Sequence, residues 1–115
     1  LLVCEGFFDA YRCNVEFELP SIALLGSVIG ETKRKILKKF KSLGYKLVYI
    51  PDIDKKGSEI KLLKDPIWDK VLNFTKYVNP ELSIYKHEWI DIDDFFILHK
   101  KNNLNPTLNP KYWKL

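Results

Sequence analysis

Hydrophobic positions along this chain fall into short runs that alternate with helical stripes. Leu1–Cys4 is an apolar run closed by Glu5-Gly6, and apolar residues at helical spacing follow over Phe7–Cys13. Ser21–Leu25 is a second run, closed by Gly26. Glu31–Leu43 is amphipathic, with Ile36, Leu37, Phe40 and Leu43 expected on one face. An acid opens that helix, lysines fill its later turns and Gly44 ends it. Lys46–Ile50 is the third run. A third helical region starts near Lys56, breaks at Pro66 and resumes through Trp68–Tyr77. Ser83–Lys86 reads as a short fourth strand. Asp91–Lys101 reads as a fourth helix, with acids first and His99-Lys100-Lys101 last, as the helix dipole prefers.

Strands separated by helices imply a parallel sheet. The runs lack strict alternation, so the strands are expected to be buried on both faces. The predicted fold is α/β: a three-layer helix-sheet-helix sandwich around a four-stranded parallel sheet. The domain takes residues 1–101. The Asn-rich segment 102–115, with Pro106 and Pro110, reads as a tail or linker in which Tyr112 and Trp113 are candidate anchors.

Length and composition fit one soluble domain with a core of its own. The longest apolar runs, such as Ile22–Leu25, are too short to span a bilayer, and no signal-peptide pattern is visible. The first residue is Leu1 rather than Met, which points to a segment of a longer polypeptide.

Net charge is +4, and Lys33, Arg34, Lys35, Lys38, Lys39 and Lys41 crowd one helix. Arg34, Lys38 and Lys41 form a single stripe there. The stripe is either a solvated face or a track for phosphates. Cys4 and Cys13 have no metal-type spacing; they read as a buried strand residue and a free thiol in a reducing compartment. His87 and His99 have no Cys or His neighbours at metal spacing, so surface or dipole roles are expected. Gly26-Ser27-Val28-Ile29-Gly30-Glu31 lacks the Gly-Lys-Ser/Thr ending of a triphosphate-gripping loop.

The candidate chemistry lies at strand ends. Glu5 follows the first strand. Asp52 and Asp54 follow the third, after Pro51, which has no N–H and ends a strand naturally. In an open parallel sheet, ligands bind outside the carboxyl ends of strands where the strand order reverses. Adjacent first and third strands, in the order 2-1-3-4, would bring the three acids to one crevice. Crowded carboxylates call for a hard cation, and Mg²⁺ takes one or two carboxylates plus phosphate oxygens. Gly6 and Gly57 allow tight turns, and the helix N-termini that follow suit phosphate. Asp54 could instead cap a helix.

At these positions the chain resembles a known family. Glu5-Gly6-Phe7-Phe8-Asp9-Ala10 is similar to the Glu-Gly-aromatic-x-Asp segment of Toprim domains in bacterial and phage DNA primases. Ala23-Leu24-Leu25-Gly26-Ser27 is similar to the Leu-Gly-Ser/Thr segment that follows, and Asp52-Ile53-Asp54-Lys55-Lys56-Gly57 to the Asp-x-Asp-x-x-Gly signature. Ile90-Asp91-Ile92-Asp93-Asp94-Phe95 resembles a late Lys-Asp-x-Asn-Asp segment, with Ile90 in place of the Lys and Asp93 in place of the Asn. The likeness covers residues 1–101, with the motifs in the family's order.

The resemblance implies that Glu5 acts as general acid or base or helps hold a metal, and that Asp52 and Asp54 bind Mg²⁺ or Mn²⁺. Asp9 matches a frequently acidic position and is either functional or a brace for the first helix. Asp91 is a further candidate acid, although a helix-start role explains it and Asp93 as well. The implied activity is metal-dependent nucleotidyl transfer in primer synthesis for DNA replication, by a fragment incomplete alone. Lys33, Arg34, Lys38 and Lys41 would meet template or nucleotide phosphates. The implied partners are single-stranded DNA, nucleoside triphosphates, and a replicative helicase or other domains of the same polypeptide. The implied setting is a bacterial or phage-infected cytoplasm, with no membrane. The alternatives are a Toprim-type nuclease and a non-catalytic Toprim scaffold that binds DNA or protein.

Overall fold

A computed structural model of the chain describes residues 1–26, 28–52, 62–77, 79–85 and 92–106. Strands β1 (Leu2–Cys4), β2 (Ser21–Ala23), β3 (Val48–Ile50) and β4 (Lys70–Val71) form one sheet. Their order is β2-β1-β3-β4 and every pairing is parallel, as expected from the sequence. Helices α1 (Phe7–Phe17), α2 (Glu31–Ser42) and α3 (Ile92–Lys101) are described in full. No described helix is long and apolar enough to cross a membrane.

The three layers follow from the two-residue period of the strands. Leu2 and Cys4 of β1, with Val48 and Ile50 of β3, face α1 and α3. There they meet Ala10, Cys13 and Phe17, and Phe95 and Phe96. Phe74 stacks on Phe17 and Phe95 at centroid distances of 5.8 and 5.2 Å. Val3 and Tyr49 face the other way, toward Leu37 of α2 and toward Ile67 and Trp68. Tyr49 and Trp68 stack at 4.8 Å.

Local signals explain the helix ends. Gly44 ends α2 at φ +96°, a backbone angle that a residue with a side chain rarely adopts. Its N–H donates to Lys41 O, and Tyr45 N–H donates to Phe40 O, while the Phe40 and Tyr45 rings meet edge to face. This is the Schellman arrangement, with its usual apolar contact. Helix α1 runs past Cys13 to Phe17, because Phe17 continues the buried stripe of Ala10 and Cys13. Glu18 then turns left-handed at φ 57°.

Several expectations are corrected. The fourth strand is Lys70–Val71, and Pro80–Tyr85 is a 3-10 helix. Asn79-Pro80 is a helix start: Pro suits the first turn, and Asn79 Oδ1 accepts from Glu81 N–H at 3.0 Å. Trp68, Val71 and Leu72 mimic helical spacing, yet Leu72 N–H donates to Tyr49 O and Lys70 N–H to Leu47 O, completing the sheet. Only Leu37 of the expected α2 face is buried; Ile36 and Leu43 are exposed, because α2 meets the sheet along a narrow line. The expected helix from Lys56 falls largely outside the described residues, although Leu62 and Leu63 are helical.

His99 is buried rather than on the surface. The cysteines are both free and both buried, with Cys4 Sγ 3.7 Å from Cys13 Sγ. His87, Asp54, Gly57, Asp91 and the tail anchors Tyr112 and Trp113 lie outside the described residues.

Candidate active site

The chain leaves β1, lays down β2 on one side, and then returns to lay down β3 on the other. Helix α1 covers one face and α2 the opposite face. The boundary between β1 and β3 is therefore the point where strand order reverses, and the crevice there is the standard ligand position of an open α/β sheet. Glu5 and Asp52 occupy it. Cys4 pairs with Ile50, so Glu5 is the first residue past the pairing on β1 and Asp52 the second on β3.

Glu5 is only 5% exposed, and a glutamate is almost never that buried unless it is paired. Its carbonyl is held by Leu25 N–H at 2.7 Å, one step beyond the bond from Leu24 N–H to Cys4 O. Leu25 makes that bond with a left-handed backbone, φ 58°. Such a conformation strains a bulky residue, and strain of this kind gathers at functional sites. The loops after β1 and β2 are thus locked together beside the crevice.

Asp9, also expected at the site, is buried one helical turn from Gly6. Its Oδ1 accepts from Asp93 N–H at 3.1 Å, at the start of α3. Its Oδ2 lies so close to Gly6 that a Cβ there would stand 3.1 Å away. Asp9 therefore braces the start of α3. Asp93 completes the joint by accepting from Arg12 Nε at 2.9 Å. Beneath these groups, the Cys4 thiol is pushed well above its usual range by its hydrogen bond with Cys13 and by burial. The charges of Asp9 and Asp52 add to that rise, so both carboxylates lie near it. A thiol held protonated in this way is a poor nucleophile.

The donors fit a hard cation in kind, since Glu5 and Asp52 offer only oxygen. Among the described residues no group of three or more His, Cys, Asp or Glu side chains is gathered for a metal ion. The expected third donor, Asp54, lies outside them.

The basic stripe divides. Arg34 donates to both carboxylate oxygens of Asp65, at 3.1 and 2.5 Å. That bidentate pair, together with Ile67 N–H, holds the Asp65 carboxyl below its ordinary range. Lys41 donates to Ile67 O at 2.8 Å. Lys38 is exposed, and Lys33 reaches toward Gly26.

Sequence reasoning passed over the exposed apolar residues of α1. Phe7, Tyr11 and Val15 are exposed and stand four apart, on a different stripe from the buried Ala10, Cys13 and Phe17. The four-residue spacing of Phe7, Tyr11 and Val15 was the available signal.

Compared with protein-family models, curated proteins and solved structures, the chain matches none.

Proposed function

We propose that this domain carries out metal-dependent nucleotidyl transfer as the Toprim module of a DNA primase, with single-stranded DNA as template and nucleoside triphosphates as substrates. The observation that carries the reading is the placement of Glu5 and Asp52 on neighbouring strand ends at the reversal of strand order. The sequence likeness around Glu5-Gly6-Phe7-Phe8-Asp9 and Asp52-Ile53-Asp54 supports it and favours primase over nuclease. Asp52 and Asp54, with Glu5, would hold Mg²⁺. The chemistry Mg²⁺ supplies when bound is neutralisation of charge on the reacting phosphate and a lower pKa for the attacking hydroxyl. Glu5 takes the proton from that 3′-hydroxyl or completes the metal site. Asp9 positions Gly6 and α3 around the crevice.

The test pairs metal binding with turnover. Mn²⁺ binding is followed by electron paramagnetic resonance, and primer synthesis and DNA hydrolysis are assayed side by side on single-stranded DNA with the full-length polypeptide that carries this domain. Asp52→Asn and Glu5→Gln should lose primer synthesis by at least about 100-fold, and Asp52→Asn should also lose the bound Mn²⁺. Carboxylates that repel without metal should leave the metal-free thermal midpoint of Asp52→Asn unchanged or slightly raised. Hydrolysis without synthesis would move the assignment to nuclease. Full synthesis in Glu5→Gln and Asp52→Asn would sink it.

A further inference from the structure

We propose that the open edge of β2 binds an extended, apolar, acid-bearing segment of a partner protein by strand addition. Strand β2 stands at the end of the sheet and pairs only with β1 among the described strands. Leu2 N–H donates to Pro20 O and Leu24 N–H donates to Cys4 O. In a parallel ladder this register turns the backbone groups of Pro20, Ile22 and Leu24 toward β1. Those of Ser21 and Ala23 point outward. They offer two N–H and two C=O groups to an added strand.

Both faces of that edge are hollow. On the α1 face, the small side chains of Ser21 and Ala23 leave an open hollow of about 350 Å³ lined also by Phe7 and Tyr11. On the α2 face, a second hollow of about 190 Å³ lies against Leu24, Leu25 and Ile36 and is rimmed by Lys33. Ala23 borders both. Successive side chains of a strand point to opposite faces, so a strand laid along β2 would seat its residues alternately in the two hollows. Phe7, Tyr11, Leu25 and Ile36 are each more than half exposed as the edge stands.

The charge at this edge selects the occupant. Lys33 reaches over Gly26 at the end of β2, with its ammonium 3.7 Å from where a Cβ on Gly26 would be. An acidic residue flanking the apolar run of the incoming segment pairs with it. A second copy of this chain fits poorly, because each copy would bring its own Lys33 and basic α2 to the same edge. Nucleic acid satisfies the lysine but has no backbone to complete the ladder.

A displayed library of random nonapeptides, selected on the whole chain, tests this. Selected peptides should be rich in β-branched and aromatic residues and carry Asp or Glu. Ala23→Pro removes one outward N–H and leaves the bonds to β1 in place; it should weaken their binding about tenfold, the worth of one main-chain hydrogen bond. Tyr11→Glu and Lys33→Glu alter exposed or half-exposed positions, which spares the fold, and should weaken binding at least as much. Peptides that bind Ala23→Pro and Tyr11→Glu as tightly as the parent would overturn the proposal. So would a parent dimer in sedimentation that Ala23→Pro makes monomeric, since the occupant would then be a second copy. Oligothymidylate binding lost in Tyr11→Glu, with no peptide selected above background, would make the edge a nucleic-acid site instead. None of these readouts depends on metal or turnover, so the primase reading and this one can fail separately.

Discussion

His99 shows how much one side chain can carry that spacing conceals. Its Nε2 accepts from Asn79 N–H at 3.0 Å, which requires the proton to sit on Nδ1, and Nδ1 then donates to Phe95 O at 2.7 Å. The neutral ring thus joins the last turn of α3 to the turn before the Pro80 segment. Burial lowers its pKa, and the bond to Phe95 O only partly offsets that. Protonating Nε2 would also set a donor against the Asn79 N–H. The unfolded chain takes up that proton near pH 6.5 and the folded chain resists it, so the unfolded state binds more protons as pH falls. Stability from His99 is therefore complete above about pH 6.5 and is lost as pH drops below it through the lower folded value. Denaturant midpoints between about pH 8 and pH 5 should show this loss, and His99→Gln should flatten it. An unchanged pH slope in His99→Gln would mean the ring is not the sensor. A helix-terminal His reads as a dipole partner from sequence, and only the long-range bond with Asn79 shows otherwise. That Glu5 and Asp52 follow strand ends was legible because those ends are marked by Gly6 and Pro51.

Between elements, the joint of α1 and α3 is built from side chains 81 and 84 positions apart in sequence. Asp9 meets the Asp93 amide, Arg12 meets Asp93, and Glu16 pairs with Lys100. All three α1 residues lie on the stripe facing α3, one turn apart. Asp9 sits where a helix-terminal N–H needs an acceptor, so Asp9→Ala removes a cap and strands a donor. It should cost about 1–2 kcal/mol of stability, read from urea midpoints at neutral pH. Asp9→Asn retains an acceptor and should cost less. If Asp9→Ala lost activity in the metal-dependent assay with no loss of stability, Asp9 would belong to the reacting groups after all. The helices were visible in sequence because amphipathic spacing, Gly44 and terminal charges agree with one another. Strand β4 was not, because Lys70 and Val71 are half a helical turn in pattern and become a strand only through Leu47 and Tyr49. So short a segment carries too little period to separate the alternatives.

Across the whole molecule, the sheet order could be inferred from electrostatics before any coordinates, since only adjacent β1 and β3 bring Glu5 and Asp52 to one crevice. The basic stripe on α2 could not be resolved that way. Lys33, Arg34, Lys38 and Lys41 look equivalent in sequence, but their partners come from distant segments. Arg34 is held by Asp65 and Lys41 by Ile67 O and Asp69, so these two fasten α2 to the segment leading into β4. Lys33 and Lys38 make no such bond with the described residues and are the cations available to phosphate. Measured as affinity for oligothymidylate against salt, Lys33→Gln with Lys38→Gln should weaken binding for all sequences alike. The salt dependence should flatten by roughly one log unit for each lysine neutralised. Arg34→Gln should leave that slope nearly unchanged and instead lower the thermal midpoint, because it leaves Asp65 without its guanidinium. A slope that ignores the lysines but falls with Arg34→Gln would reverse the assignment: the nucleic acid would then compete with Asp65 for Arg34, and binding would loosen the segment that joins α2 to the sheet edge.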